Sequence, residues 1–331
     1  MGHTVINIDH SPSFCILENT QEGDRKIKSI ISTKDLSKWY GDVIGLNTLN
    51  LTIYPGITGI VGPNGAGKST FFKLVMGLIK PRLGEIDVLG ENPWKNSGIN
   101  SKIGFCPDYD SLPLDSTGHD YLKLIASLHG VKDREFRVSE VTKTVEMSKD
   151  SSRKIGGYSK GMKQRIKIAS ALIPHPEMLI LDEPLAGTDP LVRRKLIELI
   201  ESLHKDSGYN IIVSSHILRE VERMTREIVL FYKGRAIASG NISEIRALIN
   251  KHPHNIVIKG RGTKELAKGL LDESYVISVR LIDDGISVEV NDPDGFFTSI
   301  PNILANMKVS IDEMYSLDDS LDAVFEYLVE G

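Results

Sequence analysis

The stretch GITGIVGPNGAGKSTFFKLVMGLI, residues 56–79, joins one apolar run to another through small residues, a lysine and two hydroxyls. A glycine inside a regular element costs about 0.5–1 kcal/mol relative to alanine, so this segment must need a bare backbone. Gly62, Pro63, Asn64, Gly65, Ala66, Gly67, Lys68 and Ser69, with Thr70 next, fit G-x-x-x-x-G-K-[ST]. They follow a strand-like run and enter a helical one, the context that pattern requires. Backbone N–H groups that wrap a phosphate must converge, and glycine reaches the dihedrals without a clashing Cβ. The helix starting there adds unpaired amides and the positive end of its dipole. Lys68 supplies a mobile cation for β- and γ-phosphates, and Ser69 a hydroxyl ligand for Mg²⁺. The loop is expected to lie exposed at the surface.

Outward from this loop, short apolar runs alternate with helical patterns: ITGIV (57–61), KIGFC (102–106), MLILD (178–182), NIIVS (210–214) and EIVLFY (227–232). Nearly continuous β-branched or leucine runs predict parallel strands buried on both faces. Between them Met162, Ile166, Ala169 and Ile173 recur on one face of a helix. The alternation predicts an α/β domain over 30–241, with its active groups at the carboxyl ends of the strands. Residues 1–29 read as an N-terminal extension, poorly ordered or an added strand. Past Gly240 the texture changes. HPHN (252–255) breaks the chain, and VISVRLI and GISVEVN are joined by Asp283-Asp284-Gly285, a hairpin signal. DPDG (292–295) marks another turn, then a helix, a short strand near Val309 and an amphipathic helix from about Ser320. Residues 242–331 are therefore expected to form a small α+β domain.

The chain has 331 residues, 40% apolar and 25% charged, with net charge −4. That balance gives no support to a nucleic-acid-binding surface. Cys15 and Cys106 lie in no CxxC pattern, which favours a reducing compartment. No uninterrupted apolar run reaches the roughly 18 residues of a bilayer span, and the first residues lack the pattern of a signal peptide. A cytosolic location is expected, with any membrane role exercised through a partner.

The run EMLILDEP ends in Asp182 and Glu183. Asp182 would hold Mg²⁺, mostly through water, and Glu183 would polarise the water that attacks a γ-phosphate. A short helix earlier stands YSKGMKQR (158–165). Here the sequence closely resembles the nucleotide-binding subunits of ABC transporters, whose signature LSGGQ precedes the acidic strand by this kind of spacing. The resemblance covers about residues 32–241 and implies a P-loop NTPase core with a helical signature subdomain and an antiparallel β subdomain. By position, Tyr158, Ser159, Lys160, Gly161 and Met162 occupy the signature. Tyr40 in LSKWYGD resembles the aromatic that stacks on adenine, with Trp39 read as packing. Asp189 in AGTDP resembles the loop that communicates between subunits. His216 in IIVSSHIL resembles the switch histidine at the γ-phosphate. Asp108 stands where the family usually has glutamine and is assigned to Mg²⁺ or its water. Ser159 is a suitable N-cap, leaving free amides near Gly161 to face an anion. In the family that anion is the γ-phosphate bound by the opposite subunit.

What the resemblance implies is an ATPase whose two nucleotide-binding subunits close head-to-tail on ATP and open after hydrolysis, most simply a homodimer. Its YSKGM form and ending SLDDSLDAVFEYLVEG are similar to export-type systems with a separate integral-membrane permease. This places the chain in the cytoplasm, peripheral on the inner face of the cell membrane. The face carrying Leu122, Ile125 and Leu128 either packs internally or receives the permease. Two other readings stay open: a soluble ABC ATPase acting on a macromolecular assembly, and a regulatory module without turnover. Asp108, Lys160 and Thr188 depart from the family pattern, the last without a sequence-level reason.

Overall fold

The computed structural model describes residues 28–109, 111–249, 254–307 and 309–316. The expected terminal helix from Ser320 and nearly all of the extension over 1–29 lie outside them. The chain divides into two compact units, Met1–Asn241 and Ile242–Gly331.

The first unit is built on a six-stranded sheet of order β5-β6-β7-β3-β8-β9. Its strands are β3 (Ile57–Val61), β5 (Ile103–Cys106), β6 (Met178–Leu181), β7 (Asn210–Ser215), β8 (Glu227–Tyr232) and β9 (Arg235–Asn241). All pair in parallel except β9, which runs antiparallel to β8. In β6 all four side chains are buried, and successive residues serve opposite cores. Met178 and Ile180 join Phe71, Phe72, Ile212 and Phe231 on one face, while Leu179 and Leu181 join Ile211, Val213 and Ile166 on the other. Side chains alternate across a strand, so a strand covered on both faces must be apolar throughout. That is why these runs read as continuous in the sequence.

A three-stranded antiparallel sheet of order β2-β1-β4 packs in the Phe71 core. It comprises β1 (Ile31–Tyr40), β2 (Val43–Ile53) and β4 (Leu83–Val88). The opposite core is closed by helices α2 (Gly118–Leu128), α3 (Arg134–Thr144), α4 (Lys160–Leu172) and α5 (Pro190–Lys205). The helix α1 (Lys68–Val75) follows β3, and the short α6 (Leu218–Glu222) follows β7. Asp189 caps α5 by accepting from the amides of Leu191 and Val192, with Pro190 at the first helical position. At the other helix start, Ser159 accepts from Met162 N at 3.3 Å.

In the second unit, α7 (Ile242–Ile249) precedes β10 (His254–Arg261), α8 (Thr263–Leu270), β11 (Val276–Ile282), β12 (Gly285–Val290), α9 (Pro293–Met307) and β13 (Ser310–Ser316). The four strands form an antiparallel sheet of order β11-β12-β10-β13, a βαββαβ arrangement. Two local expectations need correction. His254 and Asn255, read as part of a chain break, open β10. The hairpin turn is Asp283-Asp284, because Gly285 already pairs with Ile282.

Candidate functional site

The phosphate loop connects β3 to α1, and its shape depends on close backbone approach. Gly67 caps α1 in a left-handed conformation (φ 109°) with no side-chain cap. A Cβ there would stand 2.7 Å from Gly45 O, so any other residue would displace β2. The first amides of α1 thus remain available to an anion. Gly62 N donates to Ser215 O at 3.3 Å, tying the loop to the end of β7. Ala66 N donates to Pro63 O at 3.2 Å, and Ala66 is buried while Asn64 and Gly65 are exposed. Tyr40, 44% exposed, is next to this loop, since its ring and the Thr70 side chain flank the same point above Gly45. Lys38 Nζ stands 5.6 Å from the Tyr40 ring centroid.

Lys68 corrects the expectation of an exposed loop side chain, being only 6% exposed. Its ammonium folds back along the loop, donating to Gly62 O at 2.5 Å and pairing with Glu183 Oε1 at 3.2 Å. A buried ammonium needs acceptors on several sides, and the loop's carbonyls provide them. Glu183 Oε1 has no aligned hydrogen bond, so the contact is an ion pair only. The other oxygen, Oε2, meets His216 Nδ1 at 2.8 Å. Glu183 itself has φ 47°, a conformation uncommon outside glycine. It is held there by its own N–H, which donates to Ser214 Oγ at 2.8 Å.

Asp182 is buried at the end of β6 and accepts from Ser214 Oγ at 2.6 Å and Ser69 Oγ at 3.3 Å. Burial pushes its carboxyl above the usual carboxylate range, opposed by the Ser214 hydrogen bond and reinforced by the negative charges of Glu183 and Asp108. Asp108 is exposed just past β5, and its carbonyl accepts from Lys167 Nζ on α4 at 3.3 Å. Ser69 Oγ and the carboxylates of Asp182 and Asp108 are all hard oxygen donors, as Mg²⁺ requires.

The structure thus gathers Lys68, Ser69, Asp182, Glu183 and His216. Ser159 and Gly161 belong elsewhere: among the described residues no hydrogen bond or ion pair joins them to these groups. Gly161 has a structural use besides its assigned one, because a Cβ there would collide with Val192 Cγ1 of α5. Thr188, unexplained by sequence, closes its loop by donating to Leu185 O at 2.6 Å. Ser214 was missed by sequence reading. It is fully buried and donates to Asp182 while accepting from Glu183 N, setting both acids at once. Its only sequence signal was position, two residues before His216.

This sheet, loop and pair of acids define a P-loop nucleotide-binding ATPase. A family profile described as ABC transporter matches residues 46–186. The bacitracin transport ATP-binding protein BcrA of Enterococcus faecalis is 30% identical over 304 residues, 91% of this chain and 97% of that protein. The Nod factor export ATP-binding protein I of Rhizobium leguminosarum bv. viciae is 35% identical over 214 residues, 63% of this chain and 68% of that one. The solved dimer of the ATP-binding cassette MJ0796, in a post-hydrolysis state with ADP and Pi, superposes with TM-score 0.58 at 25% identity. It covers 64% of this chain and 98% of that chain. The chain belongs to the ATP-binding proteins of ABC transporters and is an ATPase of that family.

Proposed function

We propose that the chain powers export through a separate integral-membrane permease, closing on ATP as a dimer of nucleotide-binding subunits. The observation that carries the catalytic part is the Glu183 carboxylate set between the Lys68 ammonium and the His216 imidazole, at 3.2 and 2.8 Å. Tyr40 stacks on the base, and the backbone of 62–68 with Ser69 and Thr70 holds the phosphates. When phosphate oxygens take the Lys68 ammonium, Glu183 is released to accept the proton of the attacking water. The water oxygen bonds to the γ-phosphorus as the β–γ bridge breaks, and His216 orients the transferred group. Mg²⁺, which Ser69, Asp182 and Asp108 would hold, would neutralise developing charge on the phosphates. Ser159 and the amides near Gly161 act on nucleotide bound by the partner subunit.

Export is supported by the names of the two relatives, both transport or export ATP-binding proteins. Among the described residues no helix is long and apolar enough to cross a membrane, which fits a subunit held at the inner face by its permease. Leu122 is buried and Ile125 packs on the core, while Leu124 and Leu128 are 56% and 74% exposed. A cleft of about 370 Å³ beside them is lined by Phe105, Leu112, Tyr121 and His129, and we assign it to the permease. Co-purification from membranes tests this: the chain should be recovered with a multi-helix membrane protein that raises its phosphate release. Recovery with ribosomes or DNA in its place would contradict it.

Asp108 is expected to tune Mg²⁺ rather than ATP. Asp108→Gln, which restores the family's usual amide, should leave ATP affinity within about twofold while changing the Mg²⁺ concentration for half-maximal hydrolysis; 1.4 kcal/mol is a tenfold change. Nucleotide fluorescence titrations with and without Mg²⁺ read both, and loss of ATP binding without Mg²⁺ would show that Asp108 is misplaced.

A further inference from the structure

We infer that Arg193 and Glu220 form a positioning strut that fixes the His216 turn to the loop over 186–189. Glu220, on α6, is only 6% exposed. Its Oε2 accepts from Ser215 Oγ at 2.9 Å, and the same Ser215 Oγ accepts from Ile217 N at 3.0 Å. Of the residues on either side of His216, Ser215 is thus held by the carboxylate directly and Ile217 through the Ser215 hydroxyl. Its Oε1 pairs with Arg193 Nη1 of α5 at 3.2 Å, and Arg193 Nη2 donates to Thr188 O at 3.2 Å. Thr188 in turn closes on Leu185 O, and Glu183 meets His216. The contacts make a ring: Glu183, the loop to Thr188, Arg193, Glu220, Ser215, His216 and Glu183 again.

A carboxylate this buried would not be kept without a partner, and α5 supplies it from the helix whose cap, Asp189, ends the loop. Arginine suits the task because its planar fork meets two partners at once, here an ion pair with the Glu220 carboxylate and a hydrogen bond to the Thr188 carbonyl. The ring has two consequences. The imidazole reaches Glu183 with little freedom, and any movement of the 186–189 loop is delivered to His216 through α5 instead of being absorbed by the turn. A misplacement of about 1 Å in a reacting group costs about 10²-fold in rate, so the strut should act on turnover and leave ATP binding alone.

The inference rests on the reading of His216 given above, and the test separates the two. A single truncation strands its buried partner, so the principal variant is Arg193→Met with Glu220→Leu, apolar residues of similar volume. In the full-length chain with ATP and Mg²⁺, this double variant should still melt as a folded protein, somewhat lowered because Ser215 Oγ loses its acceptor, and should keep its ATP KM within about threefold. Its kcat should fall about 10- to 100-fold, the range set by a sub-ångström to one-ångström displacement. Adding His216→Ala should reduce kcat no further than His216→Ala alone, since both remove the same placement. Arg193→Lys, which retains the charge and gives up the fork, should restore part of the lost kcat. Wild-type kcat in the folded double variant would overturn the strut, as would losses that multiply with His216→Ala. Wild-type kcat in His216→Ala alone would overturn the histidine's assignment and with it the purpose of the strut.

Discussion

Glu183→Gln is expected to bind ATP with Mg²⁺ and to lose hydrolysis by about 10²- to 10⁴-fold, the contribution of a positioned general base. The amide keeps the size of the carboxylate and can still contact His216, now 2.8 Å from Oε2. It cannot take a proton from water. Asp182, Ser69 and the loop backbone over 62–68 keep their contacts, and Lys68 loses only its ion pair with Glu183, so affinity should not fall. Removing a negative charge that faces the γ-phosphate in a poorly screened site should raise affinity slightly. Phosphate release and nucleotide affinity measured on the same preparation check both halves. Normal hydrolysis would remove the catalytic role.

Lys68→Ala is the second large effect, and the structure changes what it should do. ATP affinity should fall at least about 30-fold, since truncating one partner of a close charge pair costs about 2–5 kcal/mol. The substitution should also weaken the fold. Lys68 is buried on Gly62 O and pairs with a Glu183 side chain that is 11% exposed. Its loss leaves that carboxylate with His216 alone, a penalty of about 1–3 kcal/mol for an unsatisfied buried group. Combining Lys68→Ala with Glu183→Gln should therefore return most of the melting temperature without returning the affinity. Calorimetry and an ATP titration separate the two, and unchanged affinity in Lys68→Ala would count against the phosphate loop.

What could be read from sequence follows from where each signal resides. The core strands were legible because burial on both faces demands unbroken apolar residues, as in Met178–Leu181, and the phosphate loop because its backbone geometry demands glycine at fixed spacing. The hairpin of β11 and β12 was legible from its two alternating runs and the turn between them, whereas the antiparallel strands of the first unit were not individually legible. In β1 the pairing shifts between Thr33 and Leu36 and again between Leu36 and Lys38, so the alternation that marks a half-buried strand is broken by bulges. Ser214, Arg193 and Glu220 were hidden for another reason. Each acts through a partner on a different element, and local pattern carries no trace of contacts such as Arg193 to Glu220. The same holds for Lys68: its identity was readable, whereas its burial depends on carbonyls and an acid brought together by the fold.

Two copies of this chain are expected to close on ATP with Ser159 of each acting on nucleotide held by the other. Ser159 caps α4 by accepting from Met162 N, and among the described residues no hydrogen bond joins it to the chain's own Lys68, Ser69 or Asp182. The direct measurement is size-exclusion chromatography with light scattering on Glu183→Gln, with and without ATP and Mg²⁺. The expected result is a monomer without nucleotide, a dimer with ATP, and a monomer again when Ser159→Arg is added to the same chain. Glu183→Gln that stays monomeric in saturating ATP, or a dimer that survives Ser159→Arg, would contradict it.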